Sequence, residues 1–160
     1  MRISIVRSST KSVVMLGLAA CGTDDSGDDM MEVDCSKVTN VDIFTAGLDH
    51  VGDKGVYDFK LQSSDPSPPA RGFNTWVVQV NQMNGGVVGA PVDGATLKVT
   101  PYMPAHMHGS GVAVDITATA SPGEYQLTPV NLWMQGVWET TVRASVDPAS
   151  DSTVFKFCIP

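Results

Sequence analysis

From Cys35 onward, apolar and polar residues alternate with a period of two, and the alternation breaks at Gly, Pro, Asn and Asp. Tyr57, Phe59 and Leu61 are interleaved with Asp58, Lys60 and Gln62. The pattern recurs in Trp76, Val78 and Val80, in Leu97 and Val99, and in Val112, Val114 and Ile116. Segments 124–134, 137–146 and 153–159 read the same way. Between them stand residues that favour turns: Asp65-Pro66-Ser67-Pro68-Pro69, Asn84-Gly85-Gly86, Asp93-Gly94, Ser121-Pro122-Gly123 and Asp147-Pro148. No segment sustains the 3.6-residue period of a helix. About seven short, regularly spaced strands predict an all-β chain folded as an immunoglobulin-like antiparallel β-sandwich, with an eight-stranded barrel as the alternative.

The N-terminus breaks this pattern. Arg2, Arg7 and Lys11 precede the apolar run Val13-Val14-Met15-Leu16-Gly17-Leu18-Ala19-Ala20, which is too short to span a bilayer that needs about 20 residues. Leu18-Ala19-Ala20-Cys21 looks like a bacterial lipobox, so residues 1–20 are read as a lipoprotein signal peptide and Cys21 as the lipidated residue. Acyl chains at about 0.8 kcal/mol per buried methylene would make a firm membrane anchor. Residues 21–34, with Asp24, Asp25, Asp28, Asp29 and Glu32, are read as an acidic flexible tether, and 35–160 as the folded domain. Gly22 after the cysteine points to outer-membrane sorting. The expected location is the bacterial cell envelope, lipid-anchored and periplasmic or outer-membrane-associated.

Composition narrows the partners. The 160 residues, 42% hydrophobic and 17% charged, suffice for one domain with a core. The formal charge is −7, and removal of three basic residues with the leader brings the side-chain balance to 7 − 17 = −10. No Lys/Arg patch is present, so no nucleic-acid partner is expected. Of three cysteines, Cys21 is assigned to lipid, which leaves Cys35 and Cys158 as an even pair at the two ends of the domain. In an oxidising compartment the pair predicts a disulfide; paired thiolate metal ligands are the alternative.

The candidate chemistry lies in Pro101-Tyr102-Met103-Pro104-Ala105-His106-Met107-His108-Gly109. Strand parity places Leu97, Val99, Pro101 and Met103 on one face, and His106 and His108 share a side if the backbone is extended. Met107 should then face away. A second segment, Leu132-Trp133-Met134-Gln135-Gly136-Val137-Trp138, reads as a hairpin tip with Met134 on the same face as Leu132. If both lie at one end of the sandwich, Met103, His106, His108 and Met134 could converge as metal ligands. Thioether sulfur with imidazole suits copper, in particular Cu(I), whereas hard ions want carboxylates. Zinc fits less well, because it would seek a further ligand such as Asp115 or Glu139. Trp133 or Trp138 could shield the site and offer a ring face to the cation. As ordinary packing, Met103 and Met134 would be core gap-fillers and the histidines surface residues. His50 is read as a surface histidine.

These segments resemble a known family. Residues 74–80, 92–109, Gly123-Glu124-Tyr125 and the Met134-x-Gly136-x-Trp138 turn are similar to a YtkA-like domain over roughly residues 55–146. The resemblance implies a small exported immunoglobulin-like sandwich, similar to FixH-type domains and to periplasmic copper chaperones that supply cytochrome oxidase. By the same likeness, Met103, His106, His108 and Met134 match the family pattern and imply copper binding there. The expectation is therefore a lipid-anchored envelope metal-binding protein, a copper chaperone or buffer. Its partners would be the membrane, through the N-terminal lipid, and a copper-acceptor or envelope protein. The alternative is a non-metal structural or interaction module of an envelope complex. No nucleophile elbow, HExxH helix or phosphate loop occurs, so an enzyme is not expected.

Overall fold

The inward positions of the alternating segments meet as the two inner faces of a β-sandwich in the computed structural model, which describes residues 33–160. The signal peptide, the lipidation site Cys21 and nearly all of the acidic tether lie outside the described residues. Ten strands form: β1 Leu48–Val51, β2 Tyr57–Asp65, β3 Gly72–Asn84, β4 Val87–Pro91, β5 Thr96–Met103, β6 His108–Gly109, β7 Asp115–Ala118, β8 Glu124–Leu132, β9 Gly136–Val146 and β10 Ala149–Ile159. One sheet has the order β1-β2-β3-β8-β7, with β4 also paired to β3; the other has the order β10-β9-β5-β6. Every pairing is antiparallel.

The sandwich is as expected, and its strand count is corrected from seven to ten. β1, β4 and β6 are the additions. They are only four, five and two residues long, too short to register as an alternating run. The segment at 112–116 is also corrected, because its strand begins only at Asp115.

Tyr57, Phe59 and Leu61 of β2 and Trp76, Val78 and Val80 of β3 are buried against Trp138 and Val142 of β9 and Phe155 and Phe157 of β10. Trp76 stands edge-on to Phe157 and Phe155, with ring centroids 5.7 and 6.3 Å apart, an aromatic contact across the sheets. The Tyr125 hydroxyl donates to the Val92 carbonyl at 2.8 Å and accepts from the Ala95 amide at 2.9 Å. One phenol, from the start of β8, thus fixes the link from β4 to β5. Asp58, on the polar side of β2, is buried too. One of its carboxylate oxygens accepts from the Asn81 amide at 3.1 Å.

The ends are stapled. Cys35, in a 3-10 turn over Cys35–Lys37, is bonded to Cys158 of β10 as expected. Beyond the turn, the Asp42 amide donates to the Lys156 carbonyl and the Asp42 carboxylate accepts from the Lys156 amide, both at 2.7 Å. His50 is corrected from a surface residue to a half-buried one. Its Nδ1 lies 3.1 Å from the Val154 carbonyl, its Nε2 lies 3.1 Å from Asp42, and its ring stacks on Phe155. The local pattern around His50 carries no sign of this, because Val154 and Phe155 come from β10, at the far end of the chain.

Candidate metal site at one end of the sandwich

Strand direction gathers two segments at one end. β5 runs toward Met103, where Pro104 removes an amide donor and starts a single 3-10 turn, Pro104–His106. Met107 then takes a left-handed conformation, φ 54°, and the chain returns as β6 with His108 opposite Met103 and Gly109 opposite Tyr102. The expected extended backbone is therefore corrected to a tight turn. The imidazoles still come together, their ring centroids 5.7 Å apart. A residue directly opposite another in a sheet sends its side chain to the same face, so His108 leaves β6 on the side of Met103. Met103 is only 2% exposed, whereas Met107 is 82% exposed.

The second segment, Leu132 to Trp138, is not a hairpin tip. β8 pairs with β3 and β7, while β9 pairs with β10 and β5, so these residues carry the chain from one sheet to the other. That crossover lays Trp133 against His108. Its ring stacks on His108 at 5.3 Å with a 21° tilt, and Trp138 meets the same imidazole edge-on at 6.2 Å. The Trp138 indole N–H donates to the Met134 carbonyl at 2.9 Å, and the Arg71 guanidinium donates to the Trp133 carbonyl at 3.0 Å. Both bonds fix the crossover backbone.

Gly136 completes the seat. Its φ is +121°, a region that L side chains rarely adopt, and a β-carbon there would stand 2.4 Å from the Met103 methyl. The Met103 methyl group thus fills the space that any other residue at 136 would occupy. Met134 is half-buried and packs against the core cluster. Both thioethers are therefore packing groups in this conformation, while the imidazoles sit at the surface above them.

The donor chemistry can be tested on this geometry. His108 Nδ1 lies 3.2 Å from the Gly109 carbonyl; with the proton on Nδ1 donated there, Nε2 is left as a free lone pair. His106 lies exposed at the end of the turn, its ring open to an incoming ion. Among the described residues, no group of three or more His, Cys, Asp and Glu side chains is placed to hold a metal ion. Glu139, the carboxylate weighed for zinc, is engaged by Lys156 at 2.6 Å. A metal held by His106 and His108 could complete its shell with thioether sulfur. Buried Met103, opposite His108, and half-buried Met134, next to Trp133 on the crossover, are the methionines of these two segments; imidazole with thioether would fit a soft cation such as Cu(I) better than zinc.

Neither the curated proteins nor the solved structures provide a match to this chain. A family match covers residues 53–143, from the loop before β2 to the middle of β9, and so includes both segments of the site. The chain belongs to the YtkA-like family.

Proposed function

We propose that this protein is a lipid-anchored cell-envelope metal-binding protein, a copper chaperone or buffer that holds Cu(I) at the Met–His end of its β-sandwich. The observation that carries this reading is the convergence of two imidazoles, 5.7 Å apart, with the crossover that bears Trp133 and Met134. His106 and His108 supply nitrogen, and Met103 and Met134 supply sulfur once the core side of the site loosens. The stacked Trp133 ring covers His108 from solvent and offers a π face to a bound cation. Thioethers suit an oxidising compartment, where free thiolates would be consumed as disulfides.

Titration of the apo domain with Cu(I) against a competing chelator tests the assignment. A His106→Ala/His108→Ala double variant should lose affinity by roughly tenfold or more, about 1.4 kcal/mol per decade. Its circular dichroism should remain unchanged, because His106 is exposed and His108 lies in a two-residue strand. Equal affinity in the double variant would refute the site.

A further inference from the structure

The exposed aromatic residues are confined to one end of this domain. Among the described residues, the large exposed hydrophobic side chains that are aromatic are Phe73, Tyr102 and Trp133. Phe73 is the second residue of β3, Tyr102 the second-last of β5, and Trp133 lies in the β8–β9 crossover, so all three belong to the Met–His end. The 82%-exposed Met107 joins them. Exposed Val87 and Val88 lie in the β3–β4 hairpin at the opposite end, and exposed Val146 lies there beside the loop carboxylates Asp93 and Asp147. Arg71 adds a cation to the aromatic end. Its Nε holds the Trp133 carbonyl, and its terminal nitrogens have no hydrogen-bond or ion-pair partner among the described residues.

The chain also enters the domain at this end. Cys35 is bonded to Cys158, with α-carbons 5.6 Å apart; Cys158 is opposite Val137, and the next residue along β9 is Gly136, which seats Met103. Thirteen residues, 22–34, separate Cys21 from Cys35, a contour of at most roughly 50 Å at about 3.5 Å per residue. An anchor at Cys21 therefore holds the aromatic end at high effective concentration near the lipid surface. Indole rings favour the headgroup level of a bilayer, and a guanidinium can pair with phosphate through two parallel hydrogen bonds.

We infer that the Met–His end is the membrane-facing surface of the anchored domain, with Trp133 and Arg71 resting on the phospholipid headgroups. This inference rests on the lipid anchor in the proposed function. It gives the site a direction: metal would be taken up or released at the bilayer surface, within reach of a membrane-embedded acceptor rather than of a freely diffusing one.

The test uses the processed protein purified from membranes and returned to phosphatidylethanolamine–phosphatidylglycerol vesicles. Trp76 and Trp138 are 0% and 1% exposed, so Trp133 is the tryptophan that a quencher in the lipid can reach. Brominated phospholipid should remove the Trp133 component of the emission. That loss should vanish in Trp133→Phe and weaken in Arg71→Gln. A Val87→Trp reporter at the far end, in the Trp133→Phe background, should remain unquenched. Mass spectrometry of Cys21 is read first. An unacylated Cys21 overturns both the anchor and this inference. An acylated, vesicle-bound protein whose Trp133 is unquenched, or whose far-end reporter is quenched equally, overturns the orientation and leaves the anchor standing.

Discussion

Replacing Gly136 by Ala should damage the fold and the site together. Two costs arise at one α-carbon. Gly136 sits at φ +121°, and holding an L residue in such a region costs on the order of 1–3 kcal/mol. The new methyl would also stand 2.4 Å from the Met103 methyl, which has to move because it is 2% exposed and enclosed by the core. Overpacking of this kind costs about 1–3 kcal/mol. Methionine is unbranched and adapts, so the lower part of that range applies. The sum is roughly 2–4 kcal/mol, a fall in Tm on the order of 10 °C for a domain of this size.

Urea unfolding followed by tryptophan emission measures the loss, and a two-by-two cycle with Met103→Ala separates its parts. Met103→Ala removes the group that the new methyl would strike, so the double variant should be less destabilised than the sum of the single ones by about 1 kcal/mol or more. The backbone cost should remain whole. A loss under about 1 kcal/mol in Gly136→Ala alone would refute the conformational requirement at 136. Strict additivity in the cycle would refute the contact with Met103.

Two further outcomes follow from the opposite end and from the staple. Burial would raise the Asp151 carboxyl, but amides of Lys54, Val56, Ser152 and Tyr57 donate to it and hold it below the ordinary carboxylate range. Its stabilisation is therefore complete above the unfolded value, about 3.9, and is lost as pH falls through the lower folded value. Urea titrations should show a fall in stability below about pH 4 that is smaller in Asp151→Asn, a variant already weaker by about 1–3 kcal/mol at pH 7. Cys35→Ala/Cys158→Ala opens a loop of sequence separation 123 and should cost about 4–5 kcal/mol in the chain-entropy account, measured by denaturant unfolding. No change in the denaturation midpoint would refute the staple's contribution.

The sandwich was legible because apolar and polar residues alternate along most of its core strands. Leu97, Pro101 and Met103 are buried as their parity in β5 requires, and the Cys35–Cys158 bond joins the cysteines at the two ends of the folded domain. Other features were hidden for physical reasons. β4 and β6 owe their existence to a partner strand, since Val87 and Val88 are exposed and β6 spans only His108 and Gly109. Asp58 and His50 look like surface residues by type. Asp58 is buried with Asn81 of β3 as its hydrogen-bond partner, and His50 is half-buried against the Val154 carbonyl and the Phe155 ring of β10. Local pattern carries no information about such pairings.

The candidate site shows the same division more sharply. The cluster of methionines and histidines was visible, but the mechanism that joins it was not. Parity in an extended loop would have put His106 and His108 on one side; instead a 3-10 turn and a left-handed Met107 bring the rings to 5.7 Å. The residues 132–138 look like a hairpin because Gly136 follows polar Gln135 between two apolar runs, yet Gly136 serves a crossover between sheets. A hairpin would have kept Trp133 and Met134 with their own sheet. The crossover instead brings Trp133 over His108, which belongs to the other sheet, so each half of the site comes from a different layer. Such a site can form only when the two sheets are packed in register. Any change at the crossover that joins the sheets, at Gly136 above all, should therefore disturb the metal affinity proposed for this site together with the stability of the fold.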